Sequence, residues 1–274
     1  LSYAMGGAHV WDKWLWLIEP VATRVPYMLG VGNHEYDHAA ISDRDPTNVT
    51  GNGYHPTWGN YGDDSMGECG VPLARRFRMP DSSSGSLPPF WFSYDVQLTH
   101  FVHVSTEHDC APGSRQYAWL QGDLRAVDRA STPWIVLVGH RAMYNSEAYM
   151  DDYNVSLGLQ RAFEHLLLRY SVNLAIWGHY HAYQRTCAVA RGRCVPGGRG
   201  GIVHVTVGSA GADVDGDALF PAQWSAFFKN TYGFARVCVA NATHMQWEFV
   251  ENRAEPVGGA RVIDHVWLTA AHTD

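Results

Sequence analysis

The sequence predicts an α/β fold, a four-layer α/β/β/α sandwich in which two mixed sheets pack face to face with helices outside. Three observations carry this expectation. Apolar runs rich in β-formers, Pro26 to Val31, Trp134 to Val138 and Val172 to Trp177, alternate with segments of helical spacing. The end of the chain is instead dense in short strand-like segments. Each of the three runs also stops at a polar stretch, Gly32-Asn33-His34-Glu35, Gly139-His140 and Gly178-His179-Tyr180-His181, which is where ligands sit in open α/β sheets.

Taken in order, His9 to Arg24 places Trp11, Trp14, Leu15, Leu17, Ile18 and Val21 at helical spacing with Pro20 near its end, so a helix leads into the first strand. Residues 38–89 are long, polar and rich in Gly, Pro and Ser, and read as a loop inserted beside the site. Phe90 to Asp95 and His100 to Thr106 read as a β pair, followed by an amphipathic helix from Ser114, its N-cap, to Arg129. The strand ending near His140 leads into a loop with Tyr144 and Tyr149, a helix from about Val155 to Tyr170, and the strand ending at Gly178. After a glycine-rich turn, segments 201–208, 233–240, 245–250 and 261–268 read as successive antiparallel strands. No internal repeat or domain boundary interrupts the chain.

Composition narrows the function classes. Apolar residues make up 46% and charged residues 17% of 274, and no apolar run approaches a membrane span. The formal charge of −7, without a Lys/Arg cluster, excludes a nucleic-acid polymer as partner, because binding by counterion release needs a basic track. A small anion at a metal site stays compatible, since metals bring their own positive charge. Five cysteines are too few for a disulfide scaffold, but Cys187 and Cys194 bracket a hairpin-like AVARGR and suit a local disulfide. Three glycosylation sequons begin at Asn48, Asn154 and Asn241; with the disulfide they point to a secreted or vacuolar protein.

Taken singly, each histidine stretch is ordinary. Gly-Asn-His is a turn sequence, and His140 alone reads as structural. Three such stretches at the ends of strands are not explained by packing, because unpaired buried imidazoles are costly. One amide and four imidazoles there are the donors that metal ions holding a phosphate require.

Together the stretches resemble the calcineurin-like metallophosphoesterases, whose motifs read G-N-H-[D/E], V-x-x-H and G-H-x-H. Leu137 stands where the family usually has Val, a change that touches packing rather than ligation. Leu1-Ser2-Tyr3-Ala4 is similar to the end of the G-D-x-x-Y motif of the purple acid phosphatases. Ile18-Glu19-Pro20, Ser105-Thr106-Glu107-His108-Asp109 and Gly139-His140-Arg141 are similar to their plant and protist high-molecular-weight branch. The resemblance spans essentially the whole chain.

That resemblance implies Tyr3 and His181 as ligands of Fe(III), and Asn33, His140 and His179 as ligands of a divalent ion, zinc, manganese or ferrous iron. Phenolate suits a hard trivalent ion, imidazole and amide a divalent one. His34, beside a ligand, is the expected catalytic residue, hydrogen-bonding the phosphate or protonating the leaving oxygen, with orientation of a ligand as its other role. Arg141, Tyr144 and Tyr149 are candidate substrate contacts. Two aspartates of the family pattern would precede Leu1. Residues 1–274 are therefore expected to be a metallophosphoesterase catalytic domain that is N-terminally incomplete, without its first strand or an upstream β-sandwich domain. The expected function is hydrolysis of small phosphate monoesters at acidic pH, with nucleotide pyrophosphatase or phosphodiesterase activity open. The chain by itself is expected to be inactive for want of the two aspartates. The alternative is a non-catalytic secreted glycoprotein that keeps the fold as a binding module. Oligomeric state has no correlate in the sequence.

Overall fold

The structure, a computed structural model, describes residues 1–36, 64–81, 84–148, 150–216, 219–252 and 260–270. Helix α1 (Ala8–Ala22) carries Pro20 in its last turn and buries Trp11. Pro26 to Val31, expected as a strand, joins no ladder among the described residues, although Leu29 and Val31 are buried. Apolar character alone brought it into the core; a strand also needs a partner backbone. Within the expected loop 38–89, the described part contains a short helix, α2 (Val71–Arg76), entered through Gly70.

Strands β1 (Phe92–Val96) and β2 (Thr99–His103) form the expected antiparallel pair. Helix α3 (Arg115–Ala126) is capped by Ser114, whose Oγ accepts from the Tyr117 N–H at 3.1 Å. Then follow β3 (Trp134–Val138) and α4 (Met150–Leu159), which continues through a π-helical turn at Gln160–Glu164 into α5 (His165–Arg169). The remaining elements are β4 (Leu174–Trp177), β5 (Tyr183–Ala190), β6 (Arg193–Cys194), β7 (Ile202–Val207), β8 (Ser225–Lys229), β9 (Gly233–Val239), β10 (His244–Asn252) and β11 (Ala260–Thr269).

These strands form two sheets. The larger, eight-stranded sheet has the order β1-β2-β3-β4-β7-β5-β6 with β8 paired to β5, and β11-β10-β9 form the smaller one. The register from β2 through β3 and β4 to β7 is parallel, while β5 returns antiparallel. Segment 201–208 therefore does not open an antiparallel series, as its position before three such strands suggested. Its strand, β7, is buried along nearly its whole length, which fits a central parallel strand rather than an edge. Of strand β5 only the end, in the hairpin-like segment 188–193, was anticipated, since Gln184, Arg185 and Thr186 interrupt the apolar pattern before it.

Alternation in the central strands divides the core in two. Ile135 and Leu137 of β3, with Ala175 and Trp177 of β4, face Trp119, Leu120, Phe163 and Leu166 of the helices. Trp134, Val136 and Leu174 face the smaller sheet, where Met245, Trp247, Phe249 and Leu268 fill the gap between sheets. Burying one such apolar side chain contributes roughly 1.5–3 kcal/mol. A polar tie pins the sheets together. Tyr183 donates to Asp264 at 2.6 Å, Trp247 donates to the Tyr183 hydroxyl at 2.9 Å, and Arg185 binds both Asp264 oxygens at 2.6 and 2.8 Å. Burial works against the charge on Asp264, but the Arg185 and Tyr183 bonds outweigh it and hold the carboxyl below its usual range.

Cys187 and Cys194 are joined in a disulfide across the β5–β6 hairpin. Among the described residues, no helix is long and apolar enough to cross a membrane.

Candidate metal centre

The site lies where β3 and β4 end. The Gly139 N–H donates to the Ile176 carbonyl at 2.9 Å and the Gly178 N–H to the His140 carbonyl at 2.8 Å, so the chain segments after the two strands are laced together. Residues 33–36 close onto them as a turn, with the Glu35 N–H on the Gly32 carbonyl at 3.0 Å. Glycine at 32 is a steric requirement, because a Cβ there would lie 2.8 to 3.0 Å from three atoms of the His140 ring. His179 takes a positive φ of 69°, a conformation that costs a non-glycine residue of order 1 kcal/mol or more and recurs at functional sites.

Three expected ligands meet here. His140 Nε2 lies 2.7 Å from Asn33 Oδ1 and 3.2 Å from His179 Nδ1. Asn33 Nδ2 donates to Asp64 Oδ2 at 2.7 Å, which turns the amide oxygen toward His140. Arg141 Nη1 lies 3.3 Å from His179 Nε2. No placement of protons on two neutral imidazoles satisfies these contacts. The amide oxygen requires a proton on His140 Nε2, and Arg141 requires an unprotonated His179 Nε2. His179 would then carry its proton on Nδ1, aimed at the proton of His140. A cation among the three resolves the conflict between Asn33, His140 and His179, since all three then present lone pairs to it. The His140 pKa lies well below its usual value, chiefly through burial and then through the charges of His179 and Arg141, so the neutral ring that can bind a metal is the favoured form. Among the described residues, no three His, Cys, Asp or Glu side chains form a metal cluster; the third donor here is an amide.

Tyr3 and His181 form the other end. The Tyr3 hydroxyl is 2.7 Å from His181 Nε2, and its ring lies 4.1 Å from that of His34. His181 Nδ1 lies 2.7 Å from the Asp213 carbonyl, so its proton belongs there and Nε2 presents its lone pair to Tyr3. The Tyr3 hydroxyl is pushed up to about 12, by burial first and then by the charges of Glu35, Asp215 and Asp64. A phenolate at this position needs a cation beside it. His34 directs Nδ1 to the Asp64 carbonyl at 3.2 Å.

The substrate-contact expectations fare differently. Arg141 is buried, with Nε bound to both Glu107 oxygens at 3.1 and 3.0 Å. Tyr144 does not face the site. Its hydroxyl donates to Glu164 at 2.5 Å and accepts from the Gly192 N–H at 2.9 Å, a core tie between α5's N-terminal flank and the β5–β6 hairpin. Burial and then the Glu164 carboxylate raise its pKa, as suits a hydroxyl that stays protonated. The sequence offered a tyrosine near the motif but not the turn of backbone that points it inward. Tyr149 and Asn48 lie outside the described residues. Asn154 is exposed on α4, and Asn241 caps the exposed β9–β10 turn, its Oδ1 accepting from the Thr243 and His244 N–H groups at 2.8 and 2.9 Å. Asp64, Glu107 and Asp213 were not given site roles from the sequence. Glu107 at least sits in a quoted motif, whereas nothing local distinguishes Asp64 or Asp213.

A profile of the calcineurin-like phosphoesterases matches residues 3–183, which contain every one of these donors. The chain belongs to that family. A second profile, iron/zinc purple acid phosphatase-like protein C, matches residues 201–265. Among curated relatives, a protein of Arabidopsis thaliana named probable inactive purple acid phosphatase 9 is 34% identical over 92% of this chain and 40% of its own length. Acid phosphatase type 7 of Homo sapiens is 31% identical over 95% of this chain and 57% of its own. A purple acid phosphatase from yellow lupin (Lupinus luteus) seeds superposes with a TM-score of 0.77 at 29% identity, covering 97% of this chain and 44% of that one. The resemblance is thus to the purple acid phosphatases within the calcineurin-like phosphoesterases, and the chain spans about half the length of these relatives.

Proposed function

We propose that this chain carries the binuclear-metal site of a purple acid phosphatase-like hydrolase of small phosphate monoesters, working at acidic pH. The observation that supports this reading is the convergence of Asn33, His140 and His179, whose facing lone pairs a single cation would accept. In this reading those three hold a divalent ion, zinc, manganese or ferrous iron, and Tyr3 with His181 holds Fe(III). When bound, such a metal pair supplies a nucleophile at a pH where free water is protonated and offsets charge on the phosphoryl oxygens.

The chain's own residues do the rest. Asp64 fixes the Asn33 amide so that its oxygen faces inward. His34, with Nδ1 on the Asp64 carbonyl, keeps Nε2 to hydrogen-bond the phosphate or pass a proton to the leaving oxygen. Glu107 grips Arg141 and so fixes a positive charge beside His179, where a dianionic ester gains most from it.

Hydrolysis of a chromogenic phosphomonoester by the protein carrying this chain is the test. His140→Ala and His179→Ala should each remove most turnover and the divalent ion with it; near wild-type turnover and metal content in either variant sinks the assignment. A nucleotide diester in the same assay decides whether pyrophosphatase or phosphodiesterase activity is present. A second reading, a non-catalytic binding module, is favoured by one feature: none of the five donors is a carboxylate, so among them only a Tyr3 phenolate would offset two close cations. Two tightly held ions per molecule would exclude that reading. We also read the chain as part of a secreted or vacuolar glycoprotein, supported by the disulfide and by the exposed Asn241 sequon.

A further inference from the structure

The loop after β7 makes four contacts with the Tyr3 end of the site. Gly208 opens it in a position where a Cβ would lie only 1.8 Å from the Tyr180 carbonyl oxygen, so the loop passes against the backbone of the Gly178-His181 stretch. The His181 N–H donates to Asp215 Oδ2 at 2.5 Å, and the Asp215 N–H donates back to the His181 carbonyl at 3.1 Å. The Asp213 carbonyl accepts at His181 Nδ1, 2.7 Å away, and Asp215 Oδ1 lies 3.8 Å from the same nitrogen. Asn230, between β8 and β9, clamps the loop from behind, its Nδ2 donating to the carbonyls of Asp215 and Gly216 at 3.0 and 3.2 Å.

We propose that Asp215 is a positioning residue for His181. Its carboxylate and backbone form a two-way clasp on the His181 backbone, on its N–H and its carbonyl, which sets the ring so that Nδ1–H meets the Asp213 carbonyl and the Nε2 lone pair points at Tyr3. An acceptor on the far nitrogen fixes the tautomer of a ligating histidine and raises its basicity. The carboxylate of Asp215 also lies on the side of the ring away from Tyr3, where its negative charge would stabilise a cation held at Nε2. Asn230 holds the clasp in place through the carbonyls of Asp215 and Gly216. The metal arm of this proposal rests on the Fe(III) reading of Tyr3 and His181; the tautomer arm does not.

Long-range 1H–15N correlation spectra of the chain give the tautomer of each imidazole without any metal. His181 should carry its proton on Nδ1 in the native chain, and Asp215→Ala should give exchange between tautomers. Asp215→Asn, which keeps an oxygen acceptor for the His181 N–H, should keep the native pattern. In the protein carrying this chain, Fe(III) alone should give a phenolate charge-transfer band, with iron affinity about 10- to 100-fold weaker in Asp215→Ala and partly restored in Asp215→Asn. If Asp215→Ala does not fold, Asn230→Ala loosens the same loop and should shift the His181 tautomer in the same direction. A native His181 tautomer in both alanine variants overturns the proposal. So does unchanged iron affinity in Asp215→Ala. A colourless native protein with the tautomer shift present would instead count against Tyr3 as an iron ligand and leave the clasp standing.

Discussion

Gly32→Ala is the smallest change that should disable the site. The added Cβ would lie 2.8 Å from His140 Cε1, 2.9 Å from Nδ1 and 3.0 Å from Nε2. Carbon atoms pack at about 3.5–4.0 Å, so the ring or the turn must yield by at least about 0.7 Å. The ring cannot retreat freely, because Nε2 sits 2.7 Å from Asn33 and 3.2 Å from His179. Displacement of this size at a reacting centre costs on the order of a hundredfold in rate, or about 2.7 kcal/mol of transition-state stabilisation. Overpacking should also lower stability by about 1–3 kcal/mol. The assay is turnover of a chromogenic phosphomonoester, with zinc affinity and urea unfolding measured on the same samples. Wild-type turnover, zinc affinity and stability together would show that His140 is not packed on Gly32, and the argument for a tightly built site would fail.

Three other substitutions or conditions separate site from scaffold. Tyr144→Phe leaves Glu164 and the Gly192 N–H without their hydroxyl and should cost about 1–3 kcal/mol in urea unfolding with KM and turnover unchanged; a raised KM with native stability would restore Tyr144 as a substrate contact. His100 lies between Asp95 at 2.7 Å and Asp123 at 2.9 Å, and although burial favours its neutral form, the bonds and charges of Asp123 and Asp95 outweigh it and raise its pKa. Its contribution is complete below the unfolded pKa of about 6.5 and is lost as pH rises through the raised folded value, so the urea midpoint should fall there, and His100→Gln should remove that dependence. Zinc at a hundred times its dissociation constant should stabilise the fold by about 2.7 kcal/mol, and His140→Ala should abolish the effect; a zinc-independent midpoint in the native chain would contradict the convergence of the three donors.

What could be read from the sequence followed from patterns that are local in the chain. The helices at α1 and α3, the β1–β2 pair and the strands β3 and β4 declare themselves through period and capping, and the residues just after β3 and β4 follow from topology. Partners set by long-range packing were not legible. Pro26 to Val31 has the composition of a strand but no ladder partner among the described residues, and β7 has the composition of its successors but a different sheet. The same division runs through the site. Asn33, His140, His179, Tyr3 and His181 sit in motifs, whereas Asp64 and Asp215 act from loops whose sequence shows only polarity.

The donor cluster also explains why these residues, rather than apolar ones, occupy the ends of two buried strands. A folded chain normally pairs its inward-facing polar atoms, and leaving a buried donor or acceptor opposed costs about 1–3 kcal/mol. Here the opposition is built in. Asp64 holds the Asn33 oxygen inward, and Arg141, held by Glu107, faces the outer nitrogen of His179. Around the site the fold instead packs Trp177 and Leu137 into a closed apolar core. Proton exchange alone cannot relax the cluster, because both of its ends are fixed by carboxylates. A cation would relax it between Asn33, His140 and His179 at once, with the His179 proton then on Nε2, facing Arg141. A cation there would thus be linked to Arg141 through one imidazole, with Glu107 as the partner that holds the arginine's charge beside the site.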